Sequence, residues 1–201
     1  MNLIHMERLF SVMKGYLSPS LELSPELIEY LKSKLREKKF SKNEIILREG
    51  QICRNIYFVI KGVTSVIAVK KKGDDYRRWL QQENEYVIAV ESFFNQTPST
   101  ERIVAEEVVT VLFITFEELQ EASARWTEFA LVRGNIAQDY YSRSVKWDNW
   151  VISASVRDRI RQFFKDQPIL ANRVSDRVIA SYLRMDYATF KRNKDALWDD
   201  E

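Results

Sequence analysis

The spacing of hydrophobic residues along the chain follows two periods, one typical of helices and one typical of strands. Residues 24–38 begin with Ser24 as a candidate N-cap and Pro25 at the first helical position, and their leucine and isoleucine residues recur every three or four positions. This pattern predicts a helix with one apolar face. From residue 44 to residue 115 the apolar residues occur in short runs instead, which is typical of strands.

Three segments carry the strand pattern, namely EIILREG, IYFVIKGVTSVIAVKKKGDDYRRWLQQ and RIVAEEVVTVLFIT. They are rich in Val, Ile, Phe, Tyr and Thr, the residue types that favour strands. Gly50, Gly62 and the cluster Gly73-Asp74-Asp75 interrupt them as candidate turn residues. Short strands at this spacing predict an antiparallel β-barrel or sandwich.

A long helix is predicted after the strands. The segment FEELQEASARW is expected to form a short helix, and residues 127–152 contain no proline and only one glycine, Gly134. The apolar residues of the second segment fall near one face, which Arg143 interrupts. We expect this stripe to form a two-fold dimer interface, with packing along the chain's own β domain as the alternative. The stripe consists of Phe129, Val132, Ile136, Tyr140, Trp147 and Val151.

The C-terminal segment has the pattern of a helix-turn-helix. Residues 155–166 are predicted to form a helix that ends before Pro168. Ser175 can cap the next helix, and Ala180 supplies the small side chain that two closely crossing helices need. The apolar anchors of the helix pair are Ile179, Leu183, Met185, Phe190 and Leu197.

The exposed face of the second helix in this pair carries the candidate DNA contacts. We expect Arg192 to read a base and Lys191 and Lys194 to contact phosphates. Thr189 stands at the start of this helix and Ser175 at the cap of the preceding one, so both are included among the DNA-binding candidates. The plain alternative is a solvated basic face that binds nothing.

Three features argue against DNA binding. Arg184 stands at the turn, where a positive φ costs a non-glycine residue about 1 kcal/mol. Asn193 occupies a position predicted to be buried, which is unfavourable unless its side chain is hydrogen-bonded. Asp199, Asp200 and Glu201 place negative charge beside the end of the helix, which opposes the helix dipole and a phosphate backbone.

Composition narrows the classes of function. The chain has 201 residues, 45% of them hydrophobic, and a formal net charge of +2, so nucleic-acid binding needs a local basic patch. The apolar runs are too short to span a membrane, and no signal peptide is expected. Cys53 is the only cysteine, and His5, the only histidine, is expected at a mobile N-terminus. We therefore expect a cytoplasmic protein that holds no metal or cofactor, is not an enzyme and has no catalytic residue.

Together these parts resemble the Crp/Fnr-type transcription regulators, relatives of the cyclic-AMP receptor protein, over nearly the whole chain. ILREGQICRNIYFVIKGVTSV is similar to the family's first β-roll hairpins, and VESFFNQTPSTERIVAEE to its phosphate-binding cassette in Bacteroidetes-type members. RVSDRVIASYLRMDYATFKRNK resembles the family's helix-turn-helix. The resemblance implies an α+β fold with a jelly-roll-like antiparallel β-roll and flanking helices over residues 1–125. It also implies a long dimerisation helix over 126–153 and a helix-turn-helix over 154–201 without its wing hairpin.

The resemblance implies a cyclic-nucleotide site only where the cassette residues match, and here they do not. Family members that bind cyclic nucleotides carry Gly-Glu early in the cassette and Arg after a proline. This chain has Val-Ile-Ala-Val at 87–90, Ser99 after Pro98, and Glu101 where a small residue is usual. We therefore expect no cyclic-AMP binding and an effector that is unknown or missing. The candidate ligand-binding residues are Ser92, Ser99, Thr100, Arg102 and Tyr140.

The function implied by the resemblance is a homodimeric transcription regulator that binds a palindromic DNA operator. The alternative is a regulatory or scaffold protein of the same fold whose DNA contacts have decayed. An enzyme is a third possibility, since Trp79, Trp147 and Trp150 could line a pocket, although such residues are more often part of a core.

Overall fold

The computed structural model describes residues 2–69 and 75–199, and for Trp198 and Asp199 it describes the backbone alone. The turn predicted at Gly73-Asp74 lies outside the described residues, as do the last two acids of the chain. In chain order the elements are α1 (Leu3–Lys14), α2 (Pro25–Lys34), β1 (Arg36–Phe40), β2 (Ile45–Leu47), β3 (Asn55–Lys61), β4 (Thr64–Ala68), β5 (Tyr76–Gln81), β6 (Tyr86–Val87), α3 (Val90–Asn95), β7 (Glu101–Ala105), β8 (Val109–Thr115), α4 (Phe116–Arg125), α5 (Thr127–Ser153), α6 (Val156–Asp166), α7 (Pro168–Ala171), α8 (Asp176–Tyr182) and α9 (Tyr187–Asp199).

The strands form two antiparallel sheets of four strands each, in the orders β1-β8-β3-β6 and β2-β7-β4-β5. Phe58 pairs with Leu112 in the first sheet, and Val66 pairs with Ile103 in the second. All four side chains are buried in one apolar cluster, so the two sheets enclose a common core. The predicted antiparallel β-roll is confirmed.

Gly62 joins β3 to β4 with a backbone that only glycine allows. Its φ is +107°, and a Cβ atom there would lie 2.7 Å from the carbonyl oxygen of Val108. Gly50 also has a positive φ, +79°, but a Cβ atom there would meet nothing within 4 Å. Both glycines therefore stand at turns as predicted, and Gly62 is the more tightly constrained.

Helix α2 begins where the sequence predicts and ends earlier. The Ser24 hydroxyl accepts a hydrogen bond from the backbone N–H of Leu27 at 3.4 Å, which caps the helix. The expected continuation to residue 38 is wrong, because Arg36–Phe40 forms β1 and pairs with β8. Pairing with a sheet edge here outweighs local helix propensity.

The N-terminus is an ordered helix, so the expectation of a mobile end is also wrong. Asn2 caps α1, and the His5 Nδ1 atom lies 3.0 Å from a carboxylate oxygen of Glu37 on β1. The apolar face of α1 is buried in the β-roll core through Met6, Leu9, Phe10 and Met13.

The predicted long helix is confirmed as α5, a single helix of 27 residues. Thr115 and Glu118 form a capping box at the start of α4, the short helix that precedes it. No helix in the described ranges is both long and apolar enough to cross a membrane.

Helices α8 and α9 form the predicted helix pair. The Ser175 hydroxyl caps α8, accepting from the N–H of Val178 at 3.4 Å, while Ala180 is 1% exposed and lets α9 approach closely. Phe190 from α9 is fully buried in this cluster. The same cluster includes Val63 and Leu80 of the β-roll, so the helix pair packs directly on the β-roll.

The two unusual residues of the helix pair are both accommodated. Arg184 has a φ of +54°, as the turn position requires, and Arg159 donates a 2.6 Å hydrogen bond to the adjacent carbonyl of Leu183. Asn193 is half-buried, and its amide donates to the carbonyl oxygen of Thr189 at 2.8 Å. The expected burial cost of Asn193 is therefore offset by a hydrogen bond within its own helix.

Candidate functional site

A cavity of about 570 Å³ lies between the β-roll and α5. This volume falls within the usual range for small-molecule sites, about 300 to 1,000 Å³. Its wall is mostly apolar, with side chains from the segment before and within α3, from β8 and from α5. The apolar residues that define it best are Ile88, Phe93, Ile114, Phe129, Val132 and Ile136.

One ion pair lies in the wall of this pocket. A terminal nitrogen of Arg78 on β5 is 3.3 Å from a carboxylate oxygen of Glu101 on β7, whose side chain is only 12% exposed. Burial raises the pKa of Glu101, and the neighbouring Arg78 opposes that rise. Burial also raises the pKa of the Tyr140 hydroxyl, whose ring packs 5.1 Å from that of Trp79. The polar groups of the pocket thus include an ion pair, whose two charges cancel, and an uncharged phenol.

The structure brings only two of the five predicted ligand residues to the pocket, Thr100 and Tyr140. Ser92 is buried and bonds the backbone, accepting from Cys53 N–H at 2.9 Å. Ser99 likewise hydrogen-bonds the backbone of Glu101, and Arg102 pairs with Asp75 at 2.7 Å. Ser92 and Ser99 therefore support the loop around α3, Arg102 is held by Asp75, and none of the three lines this cavity.

Arg78 is one of the pocket residues that the sequence did not reveal. It lies on β5, far along the chain from the cassette. Only β4 lies between β5 and β7 in the sheet, so the long Arg78 side chain reaches Glu101 on β7. Its neighbour Arg77 pairs instead with Glu106 at 2.8 Å, outside the pocket. Strand alternation sends adjacent arginines to opposite faces, but the sequence alone does not say which of the two faces a cavity.

Helix α9 presents two free cations on its exposed face. Lys191 and Arg192 are exposed, and neither forms a hydrogen bond or ion pair within residues 2–69 and 75–199. Thr189 lies one turn earlier, where its hydroxyl donates to the carboxylate of Asp186 at 2.7 Å. The same carboxylate accepts from the Thr189 backbone, so an acid stands at the start of the helix.

Lys194, which was predicted to contact a phosphate together with Lys191, is engaged in an ion pair. Its ammonium lies 2.8 Å from the carboxylate of Asp176 on α8 and 5.2 Å from the centre of the Phe164 ring. Lys194 therefore holds α9 against α8, and in this conformation it is not free to contact a phosphate. Ser175 is likewise engaged, as the N-cap of α8. The exposed set reduces to Lys191 and Arg192, with Thr189 beside them.

Polar contacts also join the helix pair to the β-roll, beside the apolar contacts of Val63 and Leu80. The backbone N–H of Arg77 on β5 donates to the Ser181 hydroxyl on α8 at 3.0 Å. Arg173, just before α8, donates two hydrogen bonds of 2.8 Å to the carboxylate of Glu83 and a third, of 2.5 Å, to Glu107. The Arg173 guanidinium lowers the pKa of Glu83 to about 2.

Strand β5 touches the pocket and the helix pair at adjacent residues. The side chain of Arg78 lies in the pocket wall, whereas the backbone of Arg77 bonds to α8. Helix α5 makes a second connection, because Asp148 lines the pocket and also pairs with Arg184 at the turn between α8 and α9. Two contacts therefore join elements of the pocket wall to α8 and to the turn that precedes α9.

The apolar stripe predicted as a dimer seam faces the chain itself. Phe129, Val132 and Val151 are each at most 6% exposed, and Ile136 and Tyr140 pack against the β-roll core. Trp147 stacks on Tyr182 of α8, with ring centres 4.3 Å apart. This arrangement corresponds to the alternative, packing along the chain's own β domain. The large apolar residues that remain exposed on α5 are Leu131, Tyr141, Val145 and Ile152.

Residues 37–125 match the family model described as "Cyclic nucleotide-binding domain". A comparison with curated proteins finds no significant match. Among solved structures, FixK2 from Bradyrhizobium japonicum superposes with a TM-score of 0.73 at 14% identity, over 83% of this chain and 85% of that chain.

Two further structures have the same arrangement. The c-di-GMP responsive global regulator CLP from Xanthomonas campestris gives a TM-score of 0.72 at 17% identity, over 88% of this chain and 93% of that chain. A protein from Eubacterium rectale, described as a transcriptional regulator of the Crp/Fnr family, gives 0.74 at 13% identity, over 92% and 88%. Residues 37–125 therefore match a cyclic nucleotide-binding domain, and the chain has the fold of Crp/Fnr-type regulators. The α+β fold and the resemblance in fold suggested by the sequence motifs are confirmed.

Proposed function

We propose that this chain is a DNA-binding transcription regulator of the Crp/Fnr type, acting in the cytoplasm, whose β-roll senses a small molecule other than cyclic AMP. The observation that carries the proposal is the pair of unengaged cations, Lys191 and Arg192, on the exposed face of the second helix of a helix-turn-helix. Arg192 would read a guanine, a contact worth about 1–3 kcal/mol, and Lys191 would contact a phosphate.

Regulation would act through the contacts that join pocket and helix pair. An effector that binds one arrangement of β5 and α5 better than another shifts the population towards it. Since Arg77 and Asp148 touch α8 and the turn before α9, that shift would change how α9 is aimed. The proposal needs no further element between the two sites.

The regulator would work as a homodimer, so that two copies of α9 reach successive major grooves of a palindromic operator. Exposed residues of α5 support a revised interface. Leu131, Val145 and Ile152 are separated by multiples of seven residues, the repeat of a coiled coil, and Tyr141 lies between them. This stripe would replace the seam predicted from the sequence.

The test is selection of DNA sequences by the full chain, followed by titration at several salt concentrations. We expect the wild type to prefer a palindrome, and Arg192→Ala to lose that preference with at least a tenfold weaker affinity. Lys191→Ala should weaken binding to all sequences alike and lower the salt slope by about 1. Lys42→Ala removes an exposed cation between β1 and β2 and serves as the matched control, which should bind like the wild type. Absence of any sequence preference at low salt would end the proposal.

A second candidate function is a regulatory or scaffold protein of the same fold that does not bind DNA. The Lys194–Asp176 pair and the Asp186 carboxylate at the start of α9 favour it, because they reduce the positive charge that the helix offers. In that case Lys191→Ala, Arg192→Ala and the wild type would all bind DNA equally poorly.

A further inference from the structure

We propose that the pocket between the β-roll and α5 takes an uncharged, mainly apolar small molecule, and that the Arg78–Glu101 pair excludes anions from it. The inference rests on the proposed function only in treating this cavity as the effector site. It goes further by assigning the chemical class of the effector from the composition and charge of the wall.

The shape and lining of the cavity favour an apolar occupant. Phe93, Val132, Ile114 and Ile88 are at most 6% exposed, so the deep part of the wall offers carbon atoms and few hydrogen-bonding groups. Water gains little in such a space, since each molecule needs two or more polar partners. An apolar ligand would remove the same surface from water, which is favourable in proportion to its area.

The charges of the wall disfavour an anion. Two guanidinium groups line the pocket, and both are engaged: Arg78 by Glu101, and Arg133 by Gln120 and Ser123. Three carboxylates also line it: Glu101 pairs with Arg78, Asp148 pairs with Arg184, and Glu91 is exposed. The lining residues that the structure describes therefore offer an anion no cation that lacks a partner. An anionic ligand would have to take Arg78 from Glu101, which would leave a buried carboxylate without its partner.

Glu101 is therefore the specificity-determining residue. Its carboxylate neutralises the guanidinium that a phosphate or carboxylate ligand would otherwise use. Replacing it by glutamine keeps the shape of the side chain but frees the charge of Arg78, which should turn an apolar site into one that also accepts anions. Glu106→Gln is the matched control, because the Glu106 side chain is at least as buried as that of Glu101 and pairs with Arg77 outside the pocket.

The experiment uses the full chain and two probes with the same tail, decan-1-ol and decanoate, competing with the uncharged dye N-phenyl-1-naphthylamine. We expect the affinity obtained from dye displacement to be at least tenfold higher for the alcohol than for decanoate. Cyclic AMP should not displace the dye. Glu101→Gln should tighten decanoate about tenfold, a change of about 1.4 kcal/mol, while altering the alcohol less than threefold. Glu106→Gln should leave the ratio of the two probes unchanged.

A pocket-filling variant keeps the test decisive if Glu101→Gln does not fold. Ile136→Trp adds volume from α5 into the cavity and should abolish displacement by the alcohol, with unchanged circular dichroism. Wild-type binding of decanoate or cyclic AMP as tight as that of the alcohol would overturn the inference. Dye binding that disappears as the protein dimerises would also overturn it. The second copy would then cover Tyr141 and Val145, which line the cavity, and would close the cavity to a ligand.

The outcomes separate this inference from the proposed function. Sequence-specific DNA binding that depends on Arg192, without any binding of the alcohol, would leave the regulator standing and remove the apolar effector. Binding of the alcohol with the expected response to Glu101→Gln, but without DNA preference, would do the reverse.

Discussion

The β-roll and the helix-turn-helix differ in the interactions that fix their positions. The β-roll encloses a large apolar cluster to which both sheets, α1 and α2 contribute. The helix pair has a smaller cluster that is completed by Val63 and Leu80 of the β-roll. Its other contacts with the β-roll include ion pairs and hydrogen bonds. Apolar packing fixes one arrangement, whereas polar contacts can be exchanged for water or DNA at little net cost. The β-roll should therefore be rigid, and the position of the helix pair relative to it should be adjustable.

The largest effect should come from removing one buried phenylalanine in each region. Phe58→Ala in β3 and Phe190→Ala in α9 each delete a ring that is at most 2% exposed, and each should cost about 3–5 kcal/mol. Phe58→Ala should accelerate amide exchange throughout the chain. Phe190→Ala should accelerate it in α8 and α9 while β3 and β8 stay protected. Equal loss of protection everywhere in both variants would show that the two regions unfold as one unit.

A smaller effect should come from the ion pairs that join the regions. Arg173→Ala should cost about 2–3 kcal/mol at neutral pH, because the pKa of Glu83 would return from about 2 towards its usual 4.5. A carboxylate with a lowered pKa stabilises the folded state above its unfolded-state pKa. The difference between wild type and variant should therefore be complete above pH 4.5 and vanish as the pH falls to about 2, measured by urea unfolding.

The matched control for this prediction is Arg161→Ala, which breaks a surface pair with Asp158 whose two side chains are more than half exposed. It should change stability little at any pH. A difference between wild type and Arg173→Ala that does not depend on pH would contradict the role given to Glu83.

The smallest effect should come from two equivalent helix caps. Thr115→Ala at α4 and Ser175→Ala at α8 each remove a hydroxyl that accepts a backbone N–H, at a cost of about 1 kcal/mol. The comparison between regions predicts that Thr115→Ala lowers the stability of the whole chain. Ser175→Ala should instead appear as increased local opening of α8, seen by amide exchange. A lower midpoint of global unfolding for Ser175→Ala would argue against an adjustable helix pair.

Much of the architecture could be predicted from the sequence, because periodicity and capping act locally. Ser24 and Ser175 stand where their helices begin, and Gly50 and Gly62 stand at turns. Helix α1 was missed although its buried residues follow a helical spacing. Strand β1 could not be recognised, because its charged sequence becomes a strand only by pairing with β8.

The site was predicted less well, because its residues come together through tertiary contacts. Ser99 hydrogen-bonds the backbone of Glu101 and Arg102 pairs with Asp75, so neither lines the pocket. Arg78 reaches the pocket from β5, which lies far from the cassette in the sequence. On α5 two apolar stripes share one helix, and the sequence does not say which of them meets the β-roll. The sequence does not distinguish Lys194 from Lys191 and Arg192 as an exposed cation. The difference is its ion pair with Asp176, which lies on another helix, α8.

The most direct test of the account is whether pocket occupancy changes DNA binding. The measurement is the affinity of the wild type for its selected palindrome, by fluorescence anisotropy, with and without saturating decan-1-ol. Dye displacement in the same samples shows that the alcohol is bound. Coupling through β5 and α5 predicts a change in DNA affinity of at least about fivefold, and Ile136→Trp should no longer respond. Unchanged DNA affinity with the alcohol bound would contradict the claim that this pocket controls α9.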